Sequence, residues 1–237
     1  MPLQNKLLKI LRGKVLLAFQ LFWQKEVKVD INQSFKNRVK EIVISGAKSY
    51  QDYFIDYDYL LCSDAFNTNK YYIISGEEDN FKHLTGVIFE SGSPKDFFEK
   101  SLGGTLEEDD FEIKKDDLDT NTKGSIRRKI SVLENAMHIF DSTTFVEEDF
   151  EKNNIKCSFA TENGSSTIGF TPTGVITRPK TLLKGNQLDT NKSKELELVL
   201  RKKRGEKLFT DIIIGNKDVL NKYKQNISEL VIDELLK

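Results

Sequence analysis

A chain of 237 residues with 38 % apolar and 31 % charged side chains has a globular make-up, and its net charge of −1 excludes a globally basic nucleic-acid binder. Two cysteines far apart, Cys62 and Cys157, exclude a disulfide framework and fit a reducing, cytoplasmic setting. Two histidines, His83 and His138, are too few for a histidine-rich metal site, so no metal and no cofactor are expected.

Leu7, Leu8, Leu11, Val15, Phe19 and Phe22 recur at three-to-four spacing and predict an amphipathic helix over 1–25. Its apolar run, 15–23, is far short of the roughly 20 residues that cross a bilayer, so no stable membrane span is expected. The preceding Lys6, Lys9, Arg12 and Lys14 leave a membrane-surface helix and an export signal as other readings. A second helix is predicted over 35–54, with Val39, Ile42, Val43, Ala47 and Tyr50 on its apolar stripe and Gly46 as a blemish. Residues 57–62 and 70–75 read as a strand pair around the turn at Asn67-Thr68-Asn69. Residues 79–86 lead away from that pair without an assigned element.

Ser93-Pro94 caps a helix that Gly103-Gly104 ends. Residues 106–111 form a short acidic helix or turn, 112–124 a polar loop, and 125–140 a further helix. Beyond residue 154 the period becomes that of strands, with Asn163-Gly164 as a hairpin turn and later strands at 175–177, 195–204 and 208–214. A helical tail covers 217–236. The reading is α+β: N-terminal helices, an antiparallel meander of four or five strands, helical decorations and a C-terminal helix. Without an evident linker, one domain over 1–237 is expected.

Charge is segregated along the chain. Residues 1–50 hold ten Lys/Arg against three Asp/Glu, residues 51–120 six against eighteen, and residues 121–237 twenty against sixteen. A local basic face within 172–210 stays open, as does mutual pairing of the oppositely charged regions. Walker A, dinucleotide-loop, HExxH and GxSxG signatures are absent. The cluster Glu107-Glu108-Asp109-Asp110 reads as a solvated helix start before it reads as a cation site. In Lys82-His83-Leu84-Thr85-Gly86, spacing alone favours a histidine that hydrogen-bonds its turn; an imidazole titrating near neutral pH is the other reading.

The stretch Asn80-Phe81-Lys82-His83-Leu84-Thr85-Gly86-Val87, followed by Lys95-Asp96-Phe97-Phe98 and Leu106-Glu107-Glu108-Asp109-Asp110-Phe111, resembles the phage-type barnase–EndoU–colicin–RelE-like nuclease domains, fourth family. The resemblance covers about 30–205 as a nuclease-like core and leaves the 1–25 helix and a 207–237 extension outside. It implies a metal-independent endoribonuclease of phage or mobile-element type. Such a toxin or effector acts on RNA in the cytoplasm, with a cognate inhibitor or partner protein as a second partner.

Such cleavage needs a base for the 2′-hydroxyl, an acid for the leaving 5′-oxygen and donors for the charged phosphorane. His83 is then base or acid, Thr85 a donor to a phosphate oxygen, and Lys82 or Arg178 a stabilising charge. Lys180, Lys184, Arg201, Lys202, Lys203 and Arg204 would hold the RNA backbone. No second histidine matches, since His138 beside Met137 and Ile139 reads as structural. The alternative is a non-catalytic nucleic-acid- or protein-binding module on the same scaffold.

Overall fold

Val39, Val43, Ala47 and Tyr50 line one buried stripe of helix α1, Phe35–Tyr50. The computed structural model describes residues 34–116, 118–152 and 154–237. Residues 38–237 form one compact unit, and the amphipathic helix expected over 1–25 lies outside the described residues. Helix α1 does not continue regularly to 54. It widens into a π-turn, Gln51–Ile55, in which the Asp56 N–H donates to the Gln51 carbonyl at 3.0 Å.

Strand β1, Tyr57–Cys62, pairs antiparallel with β2, Tyr72–Ile74, as the strand pattern predicts. Helices α2 (Glu78–Thr85) and α3 (Pro94–Leu102) follow, then a 3-10 turn, Glu108–Asp110. The helix expected over 125–140 is two. Asp119 accepts from the Thr122 N–H at 2.9 Å and starts α4, Thr120–Ile130, inside the expected loop. Val132 leaves helical geometry before α5, Leu133–Met137. Gly46 is no blemish: a Cβ there would lie 2.6 Å from Leu133 Cδ2, so glycine lets α5 approach α1.

The remaining strands are β3 (Phe145–Glu148), β4 (Glu151–Lys152), β5 (Ile155–Lys156), β6 (Phe159–Glu162), β7 (Ser166–Thr173), β8 (Ile176–Lys184), β9 (Lys194–Glu195), β10 (Leu198–Lys203) and β11 (Asp211–Ile214). Helices α6 (Lys217–Ile227) and α7 (Asp233–Leu236) end the chain. The expected meander is split in a larger sheet that has nine strands among the described residues, ordered β11-β10-β1-β2-β8-β7-β6-β3-β9. Strands β6, β7 and β8 are neighbours, but β10 and β11 lie beyond β1 and β2, and β4-β5 form a separate ribbon. The sheet grows because β1 and β2, interleaved with the helices, recruit later strands on both sides. Ile74 of β2 meets Thr177 of β8 in parallel register, while the other pairs of named strands are antiparallel.

Period-two alternation along β1 splits the core between two faces. Leu60 and Cys62 join Leu198 and Leu200 under Phe209, Leu220, Tyr223, Ile227 and Val231. The 207–237 stretch, expected to be an extension, thus supplies one wall of the core. On the other face Tyr59 packs toward Phe54, which stacks on Tyr50 within an aromatic cluster completed by Phe81, Phe97 and Phe98.

Strand β3, unexpected from its Glu147-Glu148 pair, is explained by where the second carboxylate goes. Glu148 accepts from the N–H groups of Asn67, Thr68 and Asn69 at 2.7, 2.9 and 3.3 Å and from the Tyr72 hydroxyl at 2.7 Å. Burial pushes its pKa up, but these donors together outweigh that and hold it below the ordinary carboxylate value of 4.5. The stability it contributes is therefore fully present above that value and is lost as pH falls through the depressed folded one. Glu148→Gln is expected to cost roughly 3 kcal/mol at pH 7, because it exchanges a charged acceptor for a weaker one and leaves buried donors unmet. Urea titrations should show that gap shrinking at pH 3.

Candidate active site

Helix α2 carries the His-Leu-Thr-Gly block, so the stretch left without an element is helical. Asn80 Oδ1 accepts from the Glu77 N–H at 3.0 Å and closes its first turn. Phe81, Leu84 and Thr85 face the core, whereas His83 is exposed. Gly86 ends the helix at φ +76°, a left-handed conformation that glycine adopts without strain. Thr85 is fully buried, its hydroxyl donating to the Lys82 carbonyl at 2.8 Å and accepting from the Val87 N–H at 3.3 Å. Its side chain shapes the turn.

Helix α4 buries Ile126 and Ile130 and carries Lys123, Arg127, Arg128 and Lys129 without one acidic residue. Lys129 lies over Gly86, where a Cβ would come within 3.0 Å of its Cδ, and its ammonium donates to the His83 carbonyl at 2.5 Å. Burial lowers the Lys129 pKa to about 8. The His83 pKa is also lowered, first by partial desolvation of the ring and then by the charges of Lys82 and Lys129, with Asp79 opposing them. Two titratable groups thus stand side by side at the C-terminal end of α2, each displaced toward neutrality or below. A cleft of about 280 Å³ lined by Lys114, Thr120, Lys123, Gly124 and Arg127 opens beside the start of α4.

Arg178 lies at the other end of α2. It, from β8, and Arg204, from the turn after β10, converge on Glu77 Oε1 at 3.2 and 3.0 Å. Arg204 also donates to Ser75 Oγ and the Gly76 carbonyl, and the Tyr50 hydroxyl donates to the Glu77 carbonyl at 3.0 Å. Arg178 Nε is buried without a partner. Six positions separate Glu77 from His83, about 9 Å along the helix axis and about 120° around it. Lys82, His83 and Thr85 share one helix end, and Arg178 stands apart from them.

The other predicted basic residues are dispersed. Alternation along β10 sends Arg201 and Lys202 to opposite faces. Arg201 pairs with Asp211 at 3.1 Å and lies 4.5 Å over the Tyr57 ring, while Lys202 pairs with Asp58 at 3.5 Å. Lys203 is exposed, Lys180 donates to the Lys156 carbonyl at 3.0 Å, and Lys184 is exposed at the far end of β8. Sequence reasoning did not single out Lys123, Arg127, Arg128 and Lys129, although the run Arg127-Arg128-Lys129 in an acid-free segment was a usable signal.

His138 places Nδ1 2.9 Å from Asp141 Oδ2 and its ring 4.3 Å from that of Tyr53. In the acidic segment, Asp110 pairs with Lys100 at 2.5 Å and accepts from the Glu107 N–H at 2.8 Å. Among the described residues, no three or more His, Cys, Asp or Glu side chains form a group that could hold a metal ion, and no helix is long and apolar enough to cross a membrane. A concavity of about 530 Å³ between residues 68–73 and the β7–β8 turn has Lys70 as its charged lining residue and no imidazole.

An α+β scaffold with a basic helix beside an exposed imidazole is a layout suited to handling nucleic acid. The family model described as phage-Barnase-EndoU-ColicinE5/D-RelE like nuclease 4 matches residues 42–218, and the chain belongs to this nuclease family. Comparisons with curated proteins and with solved structures gave no match.

Proposed function

We propose that the chain is a metal-independent endoribonuclease of phage or mobile-element type, cleaving RNA by general acid–base catalysis. The observation that carries this reading is the exposed His83, on whose backbone carbonyl the desolvated Lys129 ammonium sits, at the edge of the acid-free helix α4. RNA supplies its own nucleophile, the 2′-hydroxyl, so the protein needs proton-transfer groups and positive charge for the phosphorane. His83 transfers a proton, and Lys82 lends charge from the same turn. Thr85 serves by holding that turn, and Arg178 with Arg204 braces the opposite end of α2 through Glu77. On this reading the protein works as a toxin or effector in a cytoplasm, where a cognate inhibitor protects the producing cell.

The RNA backbone is held chiefly by Arg127, Arg128 and Lys123, with Lys184 and Lys203 as outlying contacts. Purified protein should cleave single-stranded RNA in the presence of EDTA and leave 2′,3′-cyclic phosphate ends. Binding should weaken as salt rises, and Arg128→Ala should reduce the log–log salt slope by about 0.7, the value for one lost phosphate contact on a single strand. Cleavage abolished by EDTA, or binding indifferent to salt, contradicts the reading.

A second reading, binding without catalysis, is favoured by one observation. Arg178 and Arg204 are both engaged by Glu77 and stand away from His83. Salt-sensitive RNA binding with no cleavage would select it.

A further inference from the structure

The geometry points to Lys129 as the general acid that protonates the leaving 5′-oxygen, while His83 takes the proton of the 2′-hydroxyl. This assignment rests on the ribonuclease reading and completes it, because in-line cleavage moves two protons and the predicted residues offered one imidazole. His138 does not fill the gap, being engaged by Asp141 and Glu134.

Lys129 is fixed where an acid is needed. Its helix is anchored on either side by Ile126 and Ile130, its stem crosses Gly86, and its ammonium reaches the carbonyl of His83 itself. After desolvation and Lys82, the Lys129 charge is among the causes that lower the imidazole's pKa, and the ammonium sits on the same helix end as the ring. The surrounding charges leave it free to release a proton. On α2 it meets the His83 carbonyl and Gly86, while Lys82 and Asp79 act on the imidazole. On β8, Arg178 is taken by Glu77, Lys180 by the Lys156 carbonyl, and Lys184 lies at the far end. On α5, Glu134 is taken by Ser49 and His138. Among the described residues no carboxylate pairs with Lys129. Lys95 is the contrast, its pKa raised by Glu78 and its proton held. A lysine that titrates at about 8 beside a histidine that titrates below 6.5 gives a protonated acid and a neutral base at the same pH.

The step balances without a further reactant. Neutral His83 accepts the 2′-hydroxyl proton, and the 2′-oxygen forms a bond to phosphorus. The bond from phosphorus to the 5′-oxygen breaks, and that oxygen takes the proton of the Lys129 ammonium. The products are a 2′,3′-cyclic phosphate and a 5′-hydroxyl, and exchange with water resets both side chains.

The test compares ordinary RNA with RNA whose scissile 5′-oxygen is replaced by sulfur, a leaving group that departs as thiolate without protonation. Lys129→Met should lower kcat/KM on ordinary RNA by about 10²–10³-fold and leave cleavage of the thio substrate near the wild-type rate. It should also remove the alkaline limb of the pH–rate profile near pH 8. His83→Ala should impair both substrates alike. Lys129 also caps the last turn of α2, so Lys129→Arg, which keeps charge and donor but does not titrate in range, is run in parallel and should show the same selective rescue. Equal losses on the two substrates for both Lys129 variants overturn the assignment while leaving the ribonuclease reading intact. Wild-type protein that cleaves neither substrate overturns both.

Discussion

His83→Ala is expected to slow RNA cleavage by about 10²–10⁴-fold, the range over which a positioned proton-transfer group acts. The melting temperature should not move, because the imidazole is exposed and makes none of the contacts that hold α2 in place. Those belong to Phe81, Leu84 and Thr85. The sign of the pH dependence follows from the environment of the ring. Desolvation first, then Lys82 and Lys129, lower its pKa, so the neutral base persists to a pH below the ordinary histidine value of 6.5. Wild-type activity should therefore hold from neutral pH down past 6.5 and fall only below it. Steady-state kinetics from pH 5 to 9, with thermal melts of both proteins, check each part.

Phe81→Ala is expected to cost about 3–5 kcal/mol, the usual range for removing a fully buried ring. Phe81 is inaccessible to solvent and its centroid lies 5.3, 6.1 and 5.5 Å from those of Tyr50, Phe97 and Phe98. It is the residue through which α1 and α3 grip the helix that presents His83. Deleting the ring should reduce activity by lowering the folded fraction, and stabilising conditions should restore it, unlike the loss in His83→Ala. Urea denaturation measures the difference directly, and a cost below about 1 kcal/mol would contradict the packing of this cluster.

What could be read in the chain was what local chemistry determines. Ser93-Pro94 announces α3 because the cap is built from neighbours: Ser93 Oγ accepts from the Asp96 N–H at 3.1 Å and Asp96 Oδ2 from the Ser93 N–H at 2.7 Å. Asn163-Gly164 announces the β6–β7 hairpin because Gly164 takes a positive φ of 84°. The nuclease-family resemblance was legible for a similar reason, since its motif blocks are contiguous. Helix α2 was missed because its N-terminal signal is Glu77 with Asn80 rather than serine or threonine, and its apolar face has few residues.

Long-range partners left no local mark. The meeting of Ile74 with Thr177 joins strands about a hundred residues apart, and β3 hides behind glutamates whose hydrogen bonds come from elsewhere. The same holds for the site. His83 could be picked out as a titratable residue in a turn. Lys129 could not, because its lowered pKa comes from being laid across Gly86 by helix packing. Nor does sequence distance reveal that Arg178 and Arg204 share one carboxylate.

The most direct test of the ribonuclease account is to express wild type and His83→Ala side by side and follow total cellular RNA over the hours after induction. The account predicts growth arrest with fragmented RNA for the wild type, and intact RNA with normal growth for an equally abundant His83→Ala protein. Equal RNA fragmentation by the two proteins, or intact RNA in both, would contradict it.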